Sequence, residues 1–245
     1  HADSTVLNLA SGAAGATQNL ALGRHAGARF AATVTDTAPL LALNGTARDY
    51  EEKPNGYGVG VSGGWNYRDG AELKLYGNDQ ADRAALWVDQ PGLHGLYLSR
   101  VHNQLSTVSW EDGYGDWRWS ANAGGAGLWR SETTPAGTIS TRDWQRQLGV
   151  TAVNAVSDRL ALTVGCGVTG DAFGEEKSKT VDGVRWAFHR DLRDTRTGAY
   201  AQGDAVVARH VRAVVGMRAD HSSATGRTTA DPRLSLAWQP RSQLS

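Results

Sequence analysis

The sequence predicts an all-β protein, an antiparallel transmembrane β-barrel with about eleven strands in residues 1–245. Three observations carry this expectation. Long stretches alternate apolar and polar residues with a period of two, which puts one set on each face of a sheet. The connections between these stretches run short, long, short, long. Tryptophans fall at the ends of the stretches, and the apolar positions between them are mostly Ala, Gly and Val.

Composition narrows the setting. Thirty glycines, nine tryptophans and only six prolines accompany 25 basic and 25 acidic residues. That balance offers no electrostatic footprint for nucleic acid, so no nucleic-acid partner is expected. Mean hydropathy is negative, and no apolar run reaches the length of a membrane helix. A membrane strand needs only about 9–11 residues and shows lipid every second one, so a barrel is hydrophilic on average. The single Cys166 excludes an intrachain disulfide framework and multi-cysteine metal sites. It shares its parity with Leu160, Leu162, Val164 and Val168, which makes it a small apolar filler. The chain opens on His rather than Met, with no leader pattern, and is read as processed or as a piece of a longer protein.

Residues 4–23 read as one mixed strand, and Gly23–Gly27 as a tight turn. Ala28, Phe30, Ala32 and Val34 then alternate with Arg29, Ala31, Thr33 and Thr35. A long connection over about 37–56 carries the breakers Asn44-Gly45 and Pro54-Asn-Gly56. The next strand sets Tyr57, Val59, Val61, Gly63, Trp65 and Tyr67 against Gly58, Gly60, Ser62, Gly64, Asn66 and Arg68, and Asp69-Gly70 turns it back. Ala71, Leu73 and Leu75 begin the return. Residues 79–103 read as a loop with short strands of its own, and Gln104–Trp110 as a weakly patterned strand. After Asp112–Gly115, Trp117, Trp119, Ala121, Ala123, Gly125, Gly127 and Trp129 share one face. A loop over 131–142 leads to Trp144, Leu148, Val150 and Ala152. The turn Asn154–Asp158 leads to Leu160–Val168, and a charged loop spans Asp171–Asp182. Arg185–His189 reads as an upper strand. Strands follow through Gly198, then Val211–Asp220, then Asp231–Pro240, with short turns near 207–210 and 239–242.

Loop lengths segregated by parity suit a membrane barrel, whose turns are short on one side and long on the other. Trp65, Tyr67, Trp117, Trp119 and Trp238 flank short turns, whereas Trp129 and Trp144 flank a long loop, as two interfacial girdles require. The competing reading makes these the core aromatics of a soluble β-sandwich that binds glycans.

Within Gly198–Pro240 the pattern becomes more specific. Gly-Ala-Tyr-Ala-Gln, Val-Gly-Met-Arg-Ala-Asp and Asp-Pro-Arg-Leu-Ser-Leu-Ala-Trp-Gln-Pro succeed one another. This order resembles the mid-barrel of TonB-dependent outer-membrane receptors, with Ala219 where that family usually has an aromatic and Asp231 where it has Ser. The resemblance implies a 22-strand barrel, of which residues 1–245 form part of the single barrel domain. The plug and the C-terminal strands lie outside this chain. It also implies an integral outer-membrane receptor that imports a ferric siderophore. Such a receptor couples through its plug to a TonB-type complex and sits in outer-membrane lipid. Cobalamin, haem or glycans are other cargoes, and a passive porin-like or surface-binding barrel is the alternative function.

Other motifs carry less. Gly58-Val-Gly-Val-Ser-Gly63 matches a dinucleotide fingerprint but sits inside an alternating strand, where no helix opens. Asn44-Gly-Thr46 is a formal glycosylation sequon. Asp49–Glu52 and Glu175-Glu176 read as solvated acids, and the histidines lack metal spacing. No nucleophile–base or paired-carboxylate arrangement emerges, so no enzyme, cofactor or metal is expected. Ligand contacts stay unassigned, with Arg118, Asn122, Arg212 and Arg218 of the lumen face, and the long loops, as the candidates.

Overall fold

The computed structural model describes residues 4–8, 13–43, 50–90, 93–181 and 184–238. Twelve strands and one short helix follow in chain order. They are β1 (Ser4–Asn8), β2 (Ala13–Ala21), β3 (Ala26–Asp36), α1 (Ala38–Leu43), β4 (Tyr50–Arg68), β5 (Ala71–Gln90) and β6 (Leu93–Tyr114). There follow β7 (Trp117–Thr134), β8 (Gly137–Ser157), β9 (Leu160–Val181), β10 (Val184–Ala208), β11 (Val211–Ser222) and β12 (Arg227–Trp238). Every strand pairs antiparallel with its sequence neighbour in one sheet ordered β1 to β12. Among the described residues β1 and β12 do not pair with each other. The twelfth strand comes from residues 4–23, which hold β1 and β2 rather than one strand.

A single curved sheet has no two-layer core. The only buried apolar residues among those described are Ala71, Ala85 and Ala152, so the packed interior that a β-sandwich requires is not present. Apolar side chains instead stand on the outer face, where Val59, Val61, Trp65, Leu75, Leu148, Val164, Val215 and Met217 are all exposed. In water this would be an aggregation surface; in hydrocarbon it is the favourable arrangement.

The short turns are tight. Gly70 and Gly115 hold φ of 75° and 61°, left-handed values that a Cβ disfavours. At the opposite end the expected long loops are mostly strand. Residues 79–103 belong to β5 and β6, with only 91–92 between them. The 131–142 connection reduces to residues 135 and 136, and Asp171–Val181 continues β9. A strand segment with water on both faces keeps its backbone ladder while losing the apolar alternation that marks a half-buried strand. The sequon at Asn44 and the turn near 239–242 lie outside the described residues. Gly58–Gly63 lies within β4.

The ladder is staggered. One row of directly paired residues runs Trp65, Leu73, Trp110, Ala121, Val150, Cys166, Ala199, Ala219. Trp65 stands just above the short turn ending β4, yet Ala219 stands near the far end of β11. The apolar belt therefore slides along the rows, as it must when strands tilt against the barrel axis. On β7, Trp119 and Trp129 bracket this belt on one face. At about 3.3 Å per residue and a tilt near 40° their separation spans ~25 Å of height, the thickness of an outer-membrane apolar band.

The outer hairpin of β11 and β12 is tied to β10 at Asp194. Its carboxylate accepts from the Ala224 N–H at 3.0 Å, the Ser222 hydroxyl at 2.9 Å and Arg196 Nε at 2.8 Å. The Ala224 N–H first, then Arg196 and Ser222, hold this carboxyl far below the usual carboxylate range. A depressed carboxyl contributes stability above its unfolded pKa near ~3.9 and loses it as pH falls from there toward the folded value. Amide exchange at Ser223 and Ala224, corrected for intrinsic rate, should stay constant from pH 8 to 5 and rise below about pH 4. Asp194→Asn should show the fast exchange already at neutral pH.

Candidate ligand-facing inner wall

Polar residues of opposite parity to the belt cover the inner face. Arg118 and Asn122 come from β7, Tyr200, Gln202 and Asp204 from β10, and Arg212, Arg218 and Asp220 from β11. The structure does not bring the four sequence candidates together. Arg118 lies on β7 and Arg212 on β11, four strands apart, which is roughly 19 Å at the usual strand spacing. Asn122 lies flat across Gly149, where an added Cβ would stand 3.0 Å from its Oδ1.

The charges on this wall are mostly committed. Arg212 grips Asp204 through two nitrogens, with Nε at 2.6 Å. Arg218 Nε lies 2.6 Å and its terminal nitrogen 2.8 Å from the two Asp220 oxygens. Gln145 donates to Asp171 at 3.1 Å, and Lys74 pairs with Glu72 at 2.6 Å. Arg118 has no ion-pair or hydrogen-bond partner among the described residues. A groove of about 800 Å³ opens low on the wall between Asn19, Arg29, Asn66 and Tyr76. Such a surface neutralises itself along the strand and presents paired dipoles more than a field of one sign. The described residues contain no group of three or more His, Cys, Asp and Glu placed to hold a metal.

A second inner feature sits higher, on the tall hairpin of β9 and β10. Trp186 and Phe188 are 65% and 52% exposed. Together with Leu192 they occupy the inner parity of β10, opposite Lys179, Lys177 and Phe173 of β9. Lys177 Nζ stands 6.0 Å from the centre of the Phe188 ring, at the reach of a cation–π contact. The reading of Arg185–His189 as an upper strand found this element without its role. Its signal was present in the sequence, as Trp186, Phe188 and Leu192 alternate with Arg185, His189, Asp191 and Arg193.

One contact locks the inner wall sterically. The Tyr200 ring covers Gly165, where an added Cβ would lie 2.5 Å from the ring, and its hydroxyl bonds the Thr151 hydroxyl at 2.8 Å. This ties β8, β9 and β10 together across the face.

No protein-family model matches the chain, and no curated protein sequence does. Solved structures do. FyuA, the ferric yersiniabactin uptake receptor of Yersinia pestis, aligns with a TM-score of 0.66 and 12% identity over 93% of this chain and 40% of its own. The siderophore receptor PirA of Acinetobacter baumannii aligns at 0.66 and 12% over 98% of this chain and 40% of its own. FpvAI, in its complex with pyocin S2, aligns at 0.68 and 8% over 94% of this chain and 40% of its own.

Gly165→Ala should push Tyr200 aside, break its bond to Thr151 and cost about 1–3 kcal/mol by overpacking. Urea titration of the full-length protein in lipid vesicles measures this, and adding Tyr200→Ala should remove most of the further loss.

The chain spans about two-fifths of the length of these receptors, and over that span it has the antiparallel barrel fold that its resemblance to TonB-dependent receptors implied.

Proposed function

We propose that this chain is part of the barrel wall of an outer-membrane active-transport receptor that imports a ferric siderophore. The observation that carries the reading is a barrel fold shared over nearly the whole chain with a ferric yersiniabactin uptake receptor and a siderophore receptor. The motifs of Gly198–Pro240 and the ~25 Å apolar belt support it independently. In this reading residues 1–245 belong to one barrel domain of a longer protein. A plug and further strands come from other segments, and the plug engages a TonB-type complex that supplies the energy. The protein performs no catalysis of its own.

The two inner features divide the task. Trp186 and Phe188 near the mouth, beside a Lys177 that pairs with Glu175 at 2.7 Å, suit an octahedral ferric complex whose ligand arms can lie against aromatic faces. The charge-paired wall below offers many weak contacts and no deep anion well. That suits release, because passage requires that no site along the path hold the cargo too tightly.

The test is uptake in iron-starved cells expressing the full-length protein. Radiolabelled ferric siderophore should accumulate, and accumulation should cease when the proton-motive force is collapsed or the TonB-type protein is deleted. Uptake that continues without either would make the barrel a passive pore. No uptake of any ferric siderophore, with the protein present in the outer membrane, would overturn the cargo. Trp186→Ala with Phe188→Ala should weaken apparent affinity about tenfold while leaving the maximal rate nearly unchanged, since about 1.4 kcal/mol of contact is removed outside the energised step.

A further inference from the structure

The outer face carries a groove that transport does not use. It measures about 990 Å³ and lies across β3 to β8. Two consecutive rows of paired residues on the outer parity form it. The lower row runs Val34, Tyr57, Ala81, His102, Trp129, Arg142; the upper runs Asp36, Asn55, Arg83, Arg100, Ser131, Ser140. These rows sit at the upper aromatic girdle, where Trp129 meets Trp144 edge-on with ring centres 4.6 Å apart.

Three arginines face out here, and their states differ. Arg83 is committed, with Nε 2.7 Å from Glu52 and 3.0 Å from Asn55 Oδ1. Arg100 and Arg142 have no ion pair or hydrogen bond among the described residues. They stand on β6 and β8 with the Ser131 hydroxyl between them. The acids nearby are mostly engaged. Asp79 is held by His102 at 2.9 Å and Gln104 at 2.6 Å, and Asp36 accepts the Ala38 N–H at 2.8 Å. His102 is further fixed by stacking on Trp129 at 5.1 Å. Two free guanidinium groups flanking a hydroxyl are built to take tetrahedral oxyanions, because each presents parallel N–H donors.

Beneath this groove lies a second, of about 700 Å³, whose outer-parity floor includes Val61, Gly77, Val108, Ala123 and Gly125, with Asp79, Gln104 and Arg146 along its upper edge. The two share the girdle as a border, with Trp144 on the lower rim. A basic recess above and a trough below that turns apolar away from its edge, meeting at the interface, have the polarity of a single amphiphile.

We propose that this wall docks one lipid of the outer leaflet, its phosphorylated headgroup on Arg100 and Arg142 and an acyl chain in the trough. The occupant follows from charge complementarity and from depth. Unpaired cations at the headgroup level of a membrane attract anionic lipid, and the trough beneath them stands at hydrocarbon depth. The inference rests on the outer-membrane placement proposed above.

The experiment uses the full-length protein extracted from outer membranes in mild detergent, with bound lipid counted by native mass spectrometry. Wild type should retain about one phosphorylated lipid through delipidation. Arg100→Ala with Arg142→Ala should lower retention at least tenfold, and the Lys pair R100K/R142K should restore most of it. Gly125→Leu should also lower it by filling the trough; an added Cβ there meets nothing closer than 3.7 Å, so the fold should tolerate it. Excess inorganic phosphate should not displace the lipid. If phosphate alone does so, the site is a free-anion site and the lipid assignment fails. Equal retention by wild type and the alanine pair, or preference for a zwitterionic lipid, overturns the proposal alone. Failure to recover wild type from the outer membrane at all overturns the placement on which it rests.

Discussion

A peptide group in hydrocarbon has no water to bond, so each N–H and C=O must find another peptide group. The rest of this structure depends on that constraint. It requires of a transmembrane barrel an unbroken ladder, and β3 to β11 have one, each strand paired along most of its length with its sequence neighbours. Strands that tilt must then shear, and the row from Trp65 to Ala219 records the shear directly. The glycines and alanines of the belt follow from the same condition. Tertiary stability comes from the ladder and not from an interlocked core, so most outward positions need only be apolar. Bulk is concentrated where the wall meets the interface, at Trp65, Trp119, Trp129 and Trp144.

Within the membrane the strands were legible because lipid on one side and water on the other impose a period of two. Tyr57–Tyr67, Trp117–Trp129 and Leu160–Val168 each carry it cleanly. Outside the membrane that contrast vanishes, and legibility went with it. Asp79 to Asn103 was read as a loop and is the upper half of β5 and β6; Asp171–Val181 was read as a charged loop and is the upper part of β9. Hydrophobic patterning reports a difference between two environments, and a strand with water on both sides has none to report. Residues 4–23 failed for another reason. Small residues populate both parities there, and the dipeptide Ser11-Gly12 between β1 and β2 is the local breaker that the reading passed over.

The candidate inner wall was legible only as a face. Parity puts Arg118, Asn122, Arg212 and Arg218 on one side, but among the described residues only Arg212 and Arg218 have ion partners, eight and two residues away in the chain, and the cross-strand neighbours of all four depend on register. Register is what sequence leaves open, since a shift of two residues preserves every face while changing every cross-strand neighbour. The Gly165–Tyr200–Thr151 lock depends entirely on it. Conversely Arg218 and Asp220, two apart on one strand, must share a face in any register, and that pair follows from the sequence alone.

The two faces of this one sheet handle charge differently, and the difference follows from their surroundings. Inside, arginines alternate with aspartates along the same strand, as in Arg218–Asp220 and Arg233–Asp231, or meet across a turn, as in Arg212–Asp204. Pairing of this kind costs little in a wet lumen and leaves a weak net field. Outside, a free charge within the apolar belt would be expensive, and the belt rows near the lower girdle contain none. Arginine reappears on the outer face around Trp144, first as Arg146, one outer position below it on β8, whose guanidinium lies 5.9 Å from the centre of that indole. Arg142 and Arg100 follow in the two rows above Trp144. Along β8 the outer positions thus run Leu148, Arg146, Trp144 and Arg142, and the one arginine below the indole is the one that stacks against it. On the proposed membrane placement, an unpaired arginine is tolerated at the headgroup level because anionic lipid there carries the opposite charge.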